Sequence, residues 1–371
     1  MSNVSVRCQS ARLADGREIL YFDDENTSLT EARSIDRRTL DARPATPVMR
    51  MDPLTGEWVS IAATRQHRAF LPPQEFDPLA PQTEKNQSEV PDNYDVAVFE
   101  NKSPSFGPDL AEDALDESAR DELYRMGWGR ERPAVGRCEV VCFSPESEGS
   151  FGSLSEPRAR TVIEAWAHRT DALSSLPGIE QVFVFENRGQ EIGVTLPHPH
   201  GQIYAYPFIT PRTRRLLEVI EQVGPDFFAT LLDHEQSSER LLARTAHFSA
   251  FVPFAARWPL EIHLLPHRHI HDLSELSDDE KADLVPLYLN LVRSLDAIYD
   301  SPTPYIAAWH QAPIHRGRDS IRLMLQITSP RRQADKLKFL AGSEAAMGAF
   351  IADVTPEQQA GLLRSTGLFD R

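Results

Sequence analysis

The chain has 371 residues, 41% of them hydrophobic and 25% charged, and a formal net charge of −16. This composition is typical of a globular protein with room for one large or two modest domains. The acidic balance argues against a general nucleic-acid binder, although a nucleotide substrate needs only local positive groups. No apolar run is long enough to span a membrane, and we expect no signal peptide. Three cysteines do not make a disulfide framework, so we expect a reduced, cytoplasmic protein.

The first half of the sequence begins with a polar, charged stretch, residues 1–45, which we predict to be a loosely attached N-terminal extension with one hairpin. A turn at residues 52–56 leads into a strand, and Arg65 and Arg68 follow closely. Apolar positions at helical spacing predict a helix over residues 156–176. Short β-prone runs predict strands at residues 96–101, 139–144, 182–187 and 203–208.

The second half repeats this order of elements. Its patterns predict helices over residues 211–232 and 277–299, and strands at residues 248–254, 260–266, 305–310 and 321–328. The shared order of strand, strand, helix, strand, strand indicates duplication of one unit. We therefore predict an α+β fold of two tandem halves, residues 46–210 and 211–371, each a mainly antiparallel sheet with packed helices.

Two histidines flank one proline between two predicted strands, at residues 198–200. Residues two apart in an extended chain point to the same face, so His198 and His200 should present their imidazoles side by side. Such a pair could bind a metal, supply a nucleophile that attacks phosphorus, or be two satisfied histidines on a sheet face. Nearby glycines at 193 and 201 would let a ligand approach the backbone, and Gln202 offers an amide to a phosphate oxygen. This context favours a ligand site.

The segment Phe185-Glu186-Asn187-Arg188-Gly189, followed by Gly193 and by His198-Pro199-His200-Gly201-Gln202, resembles the active-site signature of the galactose-1-phosphate uridylyltransferase family. The resemblance covers about residues 45–371, with further matches at 52–58, 99–101, 258–259, 309–313 and 338–344. It implies membership of the histidine-triad superfamily, with two histidine-triad-like units in each chain.

The resemblance implies that His200 is the catalytic nucleophile. It would attack the α-phosphorus of UDP-glucose, release glucose 1-phosphate and hold the uridylyl group until galactose 1-phosphate takes it as UDP-galactose. This is a ping-pong route through a covalent intermediate. The carbonyl of His198 would accept the Nδ1–H of His200 and leave Nε2 free to attack. Gln202 would donate to the phosphate oxygens as charge builds on them.

Other matched positions are expected to bind the substrates, UDP-glucose and galactose 1-phosphate. The resemblance assigns the nucleotide or its phosphates to Arg65, Arg68, Asn101 and Asn187, and a backbone contact to Gly193, Val194 and Thr195. A C-terminal segment would reach sugar and phosphate from the neighbouring subunit of a homodimer, through Lys338, Phe339, Ala341, Ser343 and Glu344. Simpler interpretations stay open: the arginines can be solvated surface charges, the asparagines can cap turns, and Lys338 can pair with Glu344.

The sequence departs from the family at the metal positions. Many members hold a structural zinc with a Cys-x-x-Cys pair, a further histidine and the first histidine of His-Pro-His. Here Asp77 and Ala80 stand at the cysteine positions and Ser147 lies near the third, so that His198 alone survives. Asp77 and His198 cannot complete a tetrahedral site.

A second metal, which some members bind in the C-terminal half, is also unexpected here. Of its histidines only His310 remains, because Met324 and Gln326 replace the other two. We therefore predict a protein that needs neither a metal nor another cofactor, in which packing and hydrogen bonds hold the loop that zinc otherwise fixes.

Two other functions stay open at this point. One is a related phosphorylase or nucleotidyltransferase acting on a different sugar nucleotide or a dinucleoside polyphosphate. The other is a catalytically inert protein that binds nucleotide sugars. Retention of His200, Gln202 and Lys338 together argues against the inert protein, because binding alone needs no nucleophile.

Overall fold

The computed structural model describes residues 6–369 apart from residues 31, 42, 44, 68–70, 108–129 and 300. Within these ranges the strands are β1 (Arg7–Arg12), β2 (Glu18–Asp23), β3 (Val48–Met51), β4 (Trp58–Ile61), β5 (Val96–Glu100), β6 (Glu131–Pro133), β7 (Arg137–Cys142), β8 (Gln181–Arg188), β9 (His200–Tyr206), β10 (Leu241–Arg244), β11 (Phe248–Phe251), β12 (Leu260–Pro266), β13 (Tyr305–His310), β14 (Met324–Ser329), β15 (Arg331–Gln333) and β16 (Lys336–Leu337). The α-helices are α1 (Glu156–Ser174), α2 (Pro211–Val223), α3 (Phe227–Gln236), α4 (Asp278–Ala297) and α5 (Pro356–Arg364).

One sheet of the described chain contains eleven strands, in the order β1-β2-β5-β7-β9-β8-β13-β14-β12-β11-β10. The order of β7, β9 and β8 on one side is matched by β12, β14 and β13 on the other, and the two triplets meet where β8 pairs with β13. All neighbouring strands are antiparallel. The predicted α+β fold of two tandem, mainly antiparallel halves is confirmed.

Helices α1 and α4 cover the same face of this sheet and pack against each other. Both begin where the sequence provides a cap: Ser155 accepts from the backbone of Arg158, and Ser277 forms a reciprocal capping box with Glu280. Their apolar residues enter one large core together with the inward side chains of the strands. The two halves therefore share this large hydrophobic core.

Large aromatic side chains fill the centre of that core. The ring of Phe151 lies 5.5 Å from that of Trp166 and 4.4 Å from that of Tyr288, and Tyr288 in turn lies 5.9 Å from Trp309. Phe143, just after β7, contacts the same group at 5.6 Å from Phe151. This rigid layer supports the underside of β8 and β9.

The predicted N-terminal hairpin is present as β1 and β2, but it is not loosely attached. Strand β2 pairs with β5, and its residues from Leu20 to Phe22 are buried. Arg17, 1% exposed, forms an ion pair with Asp15 and donates to the carbonyl oxygen of Glu100. The polar composition of this stretch hid the short apolar run that joins it to the sheet.

The predicted helix over residues 211–232 is two helices instead. Helix α2 ends at Val223, because Gly224 takes a φ of 114° and Pro225 follows. Helix α3 begins two residues later. The domain boundaries after residues 45 and 210 stay predictions, since the continuous sheet and shared core leave no gap between units.

The described helices include none that is long and apolar enough to cross a membrane. Cys8 is an exposed thiol, whereas Cys138 and Cys142 are buried in β7. Both of these residues belong to hydrophobic clusters of the core.

Candidate active site

His200 is the first residue of β9, in the centre of the N-terminal half of the sheet. It lies opposite Cys142 of β7, and the next outward residue, Gln202, lies opposite Phe185 of β8. The alternate residues of β9, such as Ile203, face the buried core. Strand alternation therefore directs His200 and Gln202 to the face opposite α1 and α4.

Two cavities meet at His200. The first, of about 370 Å³, lies between the loop after β7 and the segment after β8, and its lining includes His200, Asn187, Val194, Ser147 and Gln190. The second, of about 350 Å³, lies on the side of β5, and its lining includes His200, Gln202, Asn101, Lys102 and Thr195. Leu196 also lines both. His200 is thus accessible from two separate compartments.

The imidazole of His200 is held in one orientation by the backbone. Its Nδ1 lies 2.7 Å from the carbonyl oxygen of His198, and because a carbonyl only accepts, Nδ1 must carry the proton. Nε2 of the neutral ring then keeps its lone pair. Burial lowers the pKa of His200 below its ordinary value, more than the hydrogen bond to His198 raises it. The ring is therefore uncharged at neutral pH, with Nε2 unprotonated.

His198 does not share the environment of His200, contrary to the expected side-by-side pair. It lies in a bend before β9 begins, and only 1% of it is exposed. Its Nδ1 lies 2.7 Å from Asp77 Oδ2, and its Nε2 lies 2.8 Å from the carbonyl oxygen of Ser144. His198 lies outside β9, and Pro199 separates it from His200 at the point where strand pairing begins. The alternation of side chains along a strand therefore does not apply to these two histidines.

The residues at the family's zinc position do not fit a zinc ion. Asp77 and His198 are hydrogen-bonded to each other, and Ala80 supplies no donor atom. Burial would raise the pKa of Asp77, but hydrogen bonds from His198 and Ser147 hold it below its ordinary value, as a carboxylate. Across the described residues, no group of three or more His, Cys, Asp or Glu side chains is arranged to hold a metal.

The second metal position contains a chain of hydrogen bonds. His310 Nε2 donates to Gln326 Oε1 at 3.0 Å, and Gln326 Nε2 donates to Glu261 Oε1 at 2.6 Å. Glu261 also contacts His263 at 3.1 Å. Burial lowers the pKa of His310 to about 3, so the ring is neutral. These polar groups satisfy one another.

The predicted binding residues of the N-terminal half lie around the two cavities. Asn101 lines the second cavity, and its Oδ1 also accepts from the backbone of Ser103, which is the capping role left open. Arg65 lies beside the same turn, with its Nη1 3.4 Å from the carbonyl oxygen of Ser103. Gly193, with a φ of 86°, ends a short 3₁₀ turn next to Val194 of the first cavity. Arg68 lies outside the described residues.

The predicted C-terminal binding residues are not brought to His200 within this chain. Neither cavity's described lining contains them, namely Lys338, Phe339, Ala341, Ser343 and Glu344. Lys338 Nζ instead lies 3.3 Å from Glu344 Oε1 and donates to the carbonyl oxygens of Arg257 and Ile351. Phe339 is 73% exposed. The Lys338–Glu344 ion pair is the simpler interpretation that the sequence left open.

Some residues of the site were not anticipated. Lys102 lines the second cavity, and Ser147 and Gln190 line the first. Glu186 lies beneath the first cavity, where Tyr305 donates to it at 3.0 Å and burial raises its pKa to about 7. The repeated Phe-Glu-Asn motif was a usable sequence signal for Glu186. Both of its glutamates, Glu100 and Glu186, are buried near the ends of strands.

Comparison with known proteins agrees with this geometry. Residues 36–210 match the family model for the N-terminal domain of galactose-1-phosphate uridyl transferase, and residues 221–369 match that for its C-terminal domain. The galactose-1-phosphate uridylyltransferase of Streptomyces lividans is 41% identical, with 96% of each chain covered. That of Thermotoga maritima is 33% identical, covering 86% of this chain and 98% of the relative. A solved uridylyltransferase structure superposes with a TM-score of 0.74 at 29% identity, covering 86% of this chain and 98% of its own. The chain belongs to the galactose-1-phosphate uridylyltransferase family.

Proposed function

We propose that this protein transfers a uridylyl group from UDP-glucose to galactose 1-phosphate, giving glucose 1-phosphate and UDP-galactose. Family membership supports the reaction type. The observation that carries the proposal is the position of His200, which lies between two cavities with its Nδ1 bound to a single backbone carbonyl. A nucleophile in this position can face the nucleotide on one side and the leaving sugar phosphate on the other.

The first half-reaction forms a bond between Nε2 of His200 and the α-phosphorus of UDP-glucose. The bond from that phosphorus to glucose 1-phosphate breaks, and the electron pair leaves with the phosphate oxygen. In the second half-reaction, a phosphate oxygen of galactose 1-phosphate attacks the same phosphorus, and the electron pair of the P–N bond returns to Nε2. The overall exchange needs no redox partner and no net proton transfer.

The proton on Nδ1 stays in place throughout. While Nε2 carries the uridylyl group, the ring is positively charged, and the carbonyl oxygen of His198 stabilises that charge at 2.7 Å. Gln202 supports the reaction from the second cavity, where its amide can donate to the phosphate oxygens. Its Oε1 is shielded from solvent and lacks a hydrogen-bond partner among the described residues, while any donation to phosphate would come from Nε2.

Intact-mass measurement tests the proposal directly. The pure protein is mixed with UDP-glucose alone, under neutral to alkaline conditions that preserve phosphohistidine. We expect a mass gain of one uridylyl group, which galactose 1-phosphate then removes, and no gain in His200→Ala.

The other outcomes of this measurement identify the alternatives. A gain that galactose 1-phosphate does not remove would contradict the proposed acceptor and indicate a related nucleotidyltransferase or phosphorylase. Absence of any gain, with UDP-glucose shown separately to bind, would contradict the covalent route and indicate an inert nucleotide-sugar binder or direct transfer.

We further propose that the protein acts as a homodimer with shared active sites. The segment of residues 338–344 carries the exposed Phe339 and lines neither cavity of its own chain. The family resemblance gives this segment a role at sugar and phosphate. From its location outside both cavities, the segment can contact sugar and phosphate when it reaches the active site of a second copy of the chain.

The compartment is part of the same proposal. The exposed Cys8 carries a free thiol, and a free thiol suits a reducing environment. We propose that the reaction takes place in the cytoplasm.

A further inference from the structure

A group of buried hydrogen bonds surrounds the ring of His198; we call it the His198 anchor and define it as Asp77, Tyr94, His198 and the carbonyl oxygens of Leu79 and Ser144. Asp77 Oδ2 lies 2.7 Å from His198 Nδ1, and the Ser144 carbonyl oxygen lies 2.8 Å from His198 Nε2. The Tyr94 hydroxyl lies 2.7 Å from the Leu79 carbonyl, 2.9 Å from that of Ser144 and 3.0 Å from His198 Nε2. Tyr94 and His198 are each 1% exposed.

Each ring nitrogen of His198 and each carboxylate oxygen of Asp77 has a hydrogen-bond partner. The Asp77 carboxylate only accepts, so Nδ1 of His198 donates to it, while Nε2 lies within hydrogen-bond distance of both the Ser144 carbonyl oxygen and the Tyr94 hydroxyl. The two oxygens of Asp77 have separate partners, since Oδ1 accepts from the backbone of Leu79 at 2.9 Å. An asparagine at 77 has only one acceptor oxygen and could satisfy only one of these two donors.

The anchor ties together three separate segments of the chain. Asp77 and Leu79 lie in the loop before β5, Tyr94 lies just before that strand, and Ser144 follows β7. All three are held against His198, which precedes β9. This is the position at which many members of the family hold zinc, and the residues present here do not fit that ion.

The anchor is connected directly to the nucleophile. With its ring fixed at both nitrogens, His198 has little freedom to turn, and its carbonyl oxygen stays at 2.7 Å from Nδ1 of His200. We propose that Asp77 and Tyr94 are positioning residues: they replace the structural zinc with a buried hydrogen-bonded anchor that holds His200 in the tautomer needed for attack. The kinetic test of this proposal rests on the proposed uridylyl transfer.

Three single variants test the anchor. Asp77→Asn removes one of two acceptors, and Tyr94→Phe removes the bridging hydroxyl without changing the ring. Tyr21→Phe is the matched control, because Tyr21 lies buried in the same hydrophobic cluster as Tyr94 and makes no hydrogen bond to the anchor. Thermal unfolding of all four proteins shows which of them are folded.

The first readout needs no substrate. Long-range ¹H–¹⁵N correlation spectra of the histidine side chains, with His200 assigned from His200→Ala, report which ring nitrogen carries the proton. We expect Nδ1–H in the wild type and in Tyr21→Phe, and a mixture of tautomers in Asp77→Asn and Tyr94→Phe.

The second readout is the rate of uridylylation in a single turnover, measured by quenched intact mass and compared with the equilibrium dissociation constant of UDP-glucose. We expect Asp77→Asn to be slower by roughly 10-fold to 100-fold, as for other residues that orient a reacting histidine. Tyr94→Phe should be affected less and Tyr21→Phe not at all, while the dissociation constant stays within about two-fold, since uniform binding is not removed.

The possible failures are distinguishable. The proposal would be overturned if both variants are folded and have the wild-type tautomer of His200 and the wild-type rate of uridylylation. It would also be overturned if the wild type contains stoichiometric zinc that Asp77→Asn releases. Loss of thermal stability with an unchanged rate would mean that Asp77 has only a structural role, and this result would also overturn the proposal. If the wild type forms no uridylyl adduct, the proposed reaction fails, and the tautomer of His200 still decides the anchor.

Discussion

The ring of Phe143 lies directly against Gly201, so that a Cβ at position 201 would stand 2.9 Å from its Cζ. The same Cβ would lie 3.0 Å from the carbonyl oxygen of Phe185, a backbone atom that cannot move freely. The glycine after His200 is therefore required by close packing between β8 and the aromatic core. It lets β9 approach its neighbour closely enough to fix His200 over the two cavities.

We expect Gly201→Ala to destabilise the fold by about 1–3 kcal/mol, because overpacking forces the ring or the strand to shift. The same shift should slow uridylylation, since it displaces the residue next to His200. Urea unfolding and single-turnover mass measurements would check both effects. Gly361→Ala in α5 is the control: a Cβ there meets nothing within 4 Å, and it should stabilise the helix slightly.

Gln202→Ala tests the amide at the second cavity. Removal of a group that donates to developing negative charge is expected to slow uridylylation by about 10²-fold to 10³-fold, with a smaller effect on the binding of UDP-glucose. Stopped single-turnover measurements against a range of UDP-glucose concentrations separate the two. A change in the dissociation constant alone would mean that Gln202 binds the ground state and does not assist the reaction.

The pH dependence of the first half-reaction should reflect His200. Because burial lowers its pKa, the ring stays neutral to a lower pH than an exposed histidine, and activity is lost only as pH falls through that lowered value. We expect kcat/KM for UDP-glucose to be flat from neutral pH down past 6.5, the ordinary value for histidine. UDP-glucose suits this test because it lacks the phosphomonoester that titrates near pH 6 in sugar phosphates. An acid limb that begins above 6.5 would contradict the assignment.

Glu261 offers a prediction about stability in the C-terminal half. It is 2% exposed and accepts from the backbone of Arg257 at 2.6 Å and from Gln326 at 2.6 Å. Although burial raises the pKa of Glu261, hydrogen bonds from His263 and its other donors lower it to about 2. Its stabilising effect is therefore present above its ordinary value of 4.5 and is lost as pH falls toward about 2.

We expect Glu261→Gln to lower the free energy of unfolding at pH 7 by about 1–3 kcal/mol, because a neutral amide cannot accept from all of these donors. The variant should also lose part of the dependence of stability on acid pH. Urea unfolding at pH 7 and at pH 4 would measure both changes. Equal losses for variant and wild type on acidification would mean that Glu261 is not responsible for that dependence.

The sequence alone predicted those parts of the molecule that follow from local patterns. The helix capped by Ser277 has a capping box and helical spacing, and the duplicated order of elements led to two tandem halves, which the structure joins in one sheet. It failed where a contact distant in sequence decides the structure. The N-terminal hairpin joins the sheet through β5, and the ring of His198 turns toward Asp77, which is 121 residues away.

The residues of the candidate site also divide into those that a local sequence pattern predicts and those that it does not. A single five-residue motif, residues 198–202, predicted His200 and Gln202 as site residues, because strand alternation and the glycine between them are visible there. The role of Tyr94 was not visible, since a tyrosine before an apolar strand looks like any core residue. Lys102 follows Asn101 directly, but nothing in its own neighbourhood distinguishes a cavity-lining lysine from a solvated one.

A mixing experiment tests the shared active site. His200→Ala lacks the proposed nucleophile, and a variant with Lys338→Ala and Phe339→Ala lacks the side chains proposed to reach the other subunit. Each alone should be nearly inactive. If the site is shared, a mixed dimer has one site with both defects and one with neither, so a mixture that has exchanged subunits should regain about a quarter of wild-type activity.

The control for this experiment is a mixture that has not exchanged, prepared by combining the two variants immediately before the assay. It should remain inactive, which excludes contamination or a diffusible product as the source of activity. If each subunit instead uses its own segment of residues 338–344, every site in the mixed dimer carries one defect, and exchange restores nothing. Because Lys338 also holds the backbone at Ile351, Phe339→Ala alone should be tested in parallel; its exposed ring can be removed without disturbing that contact.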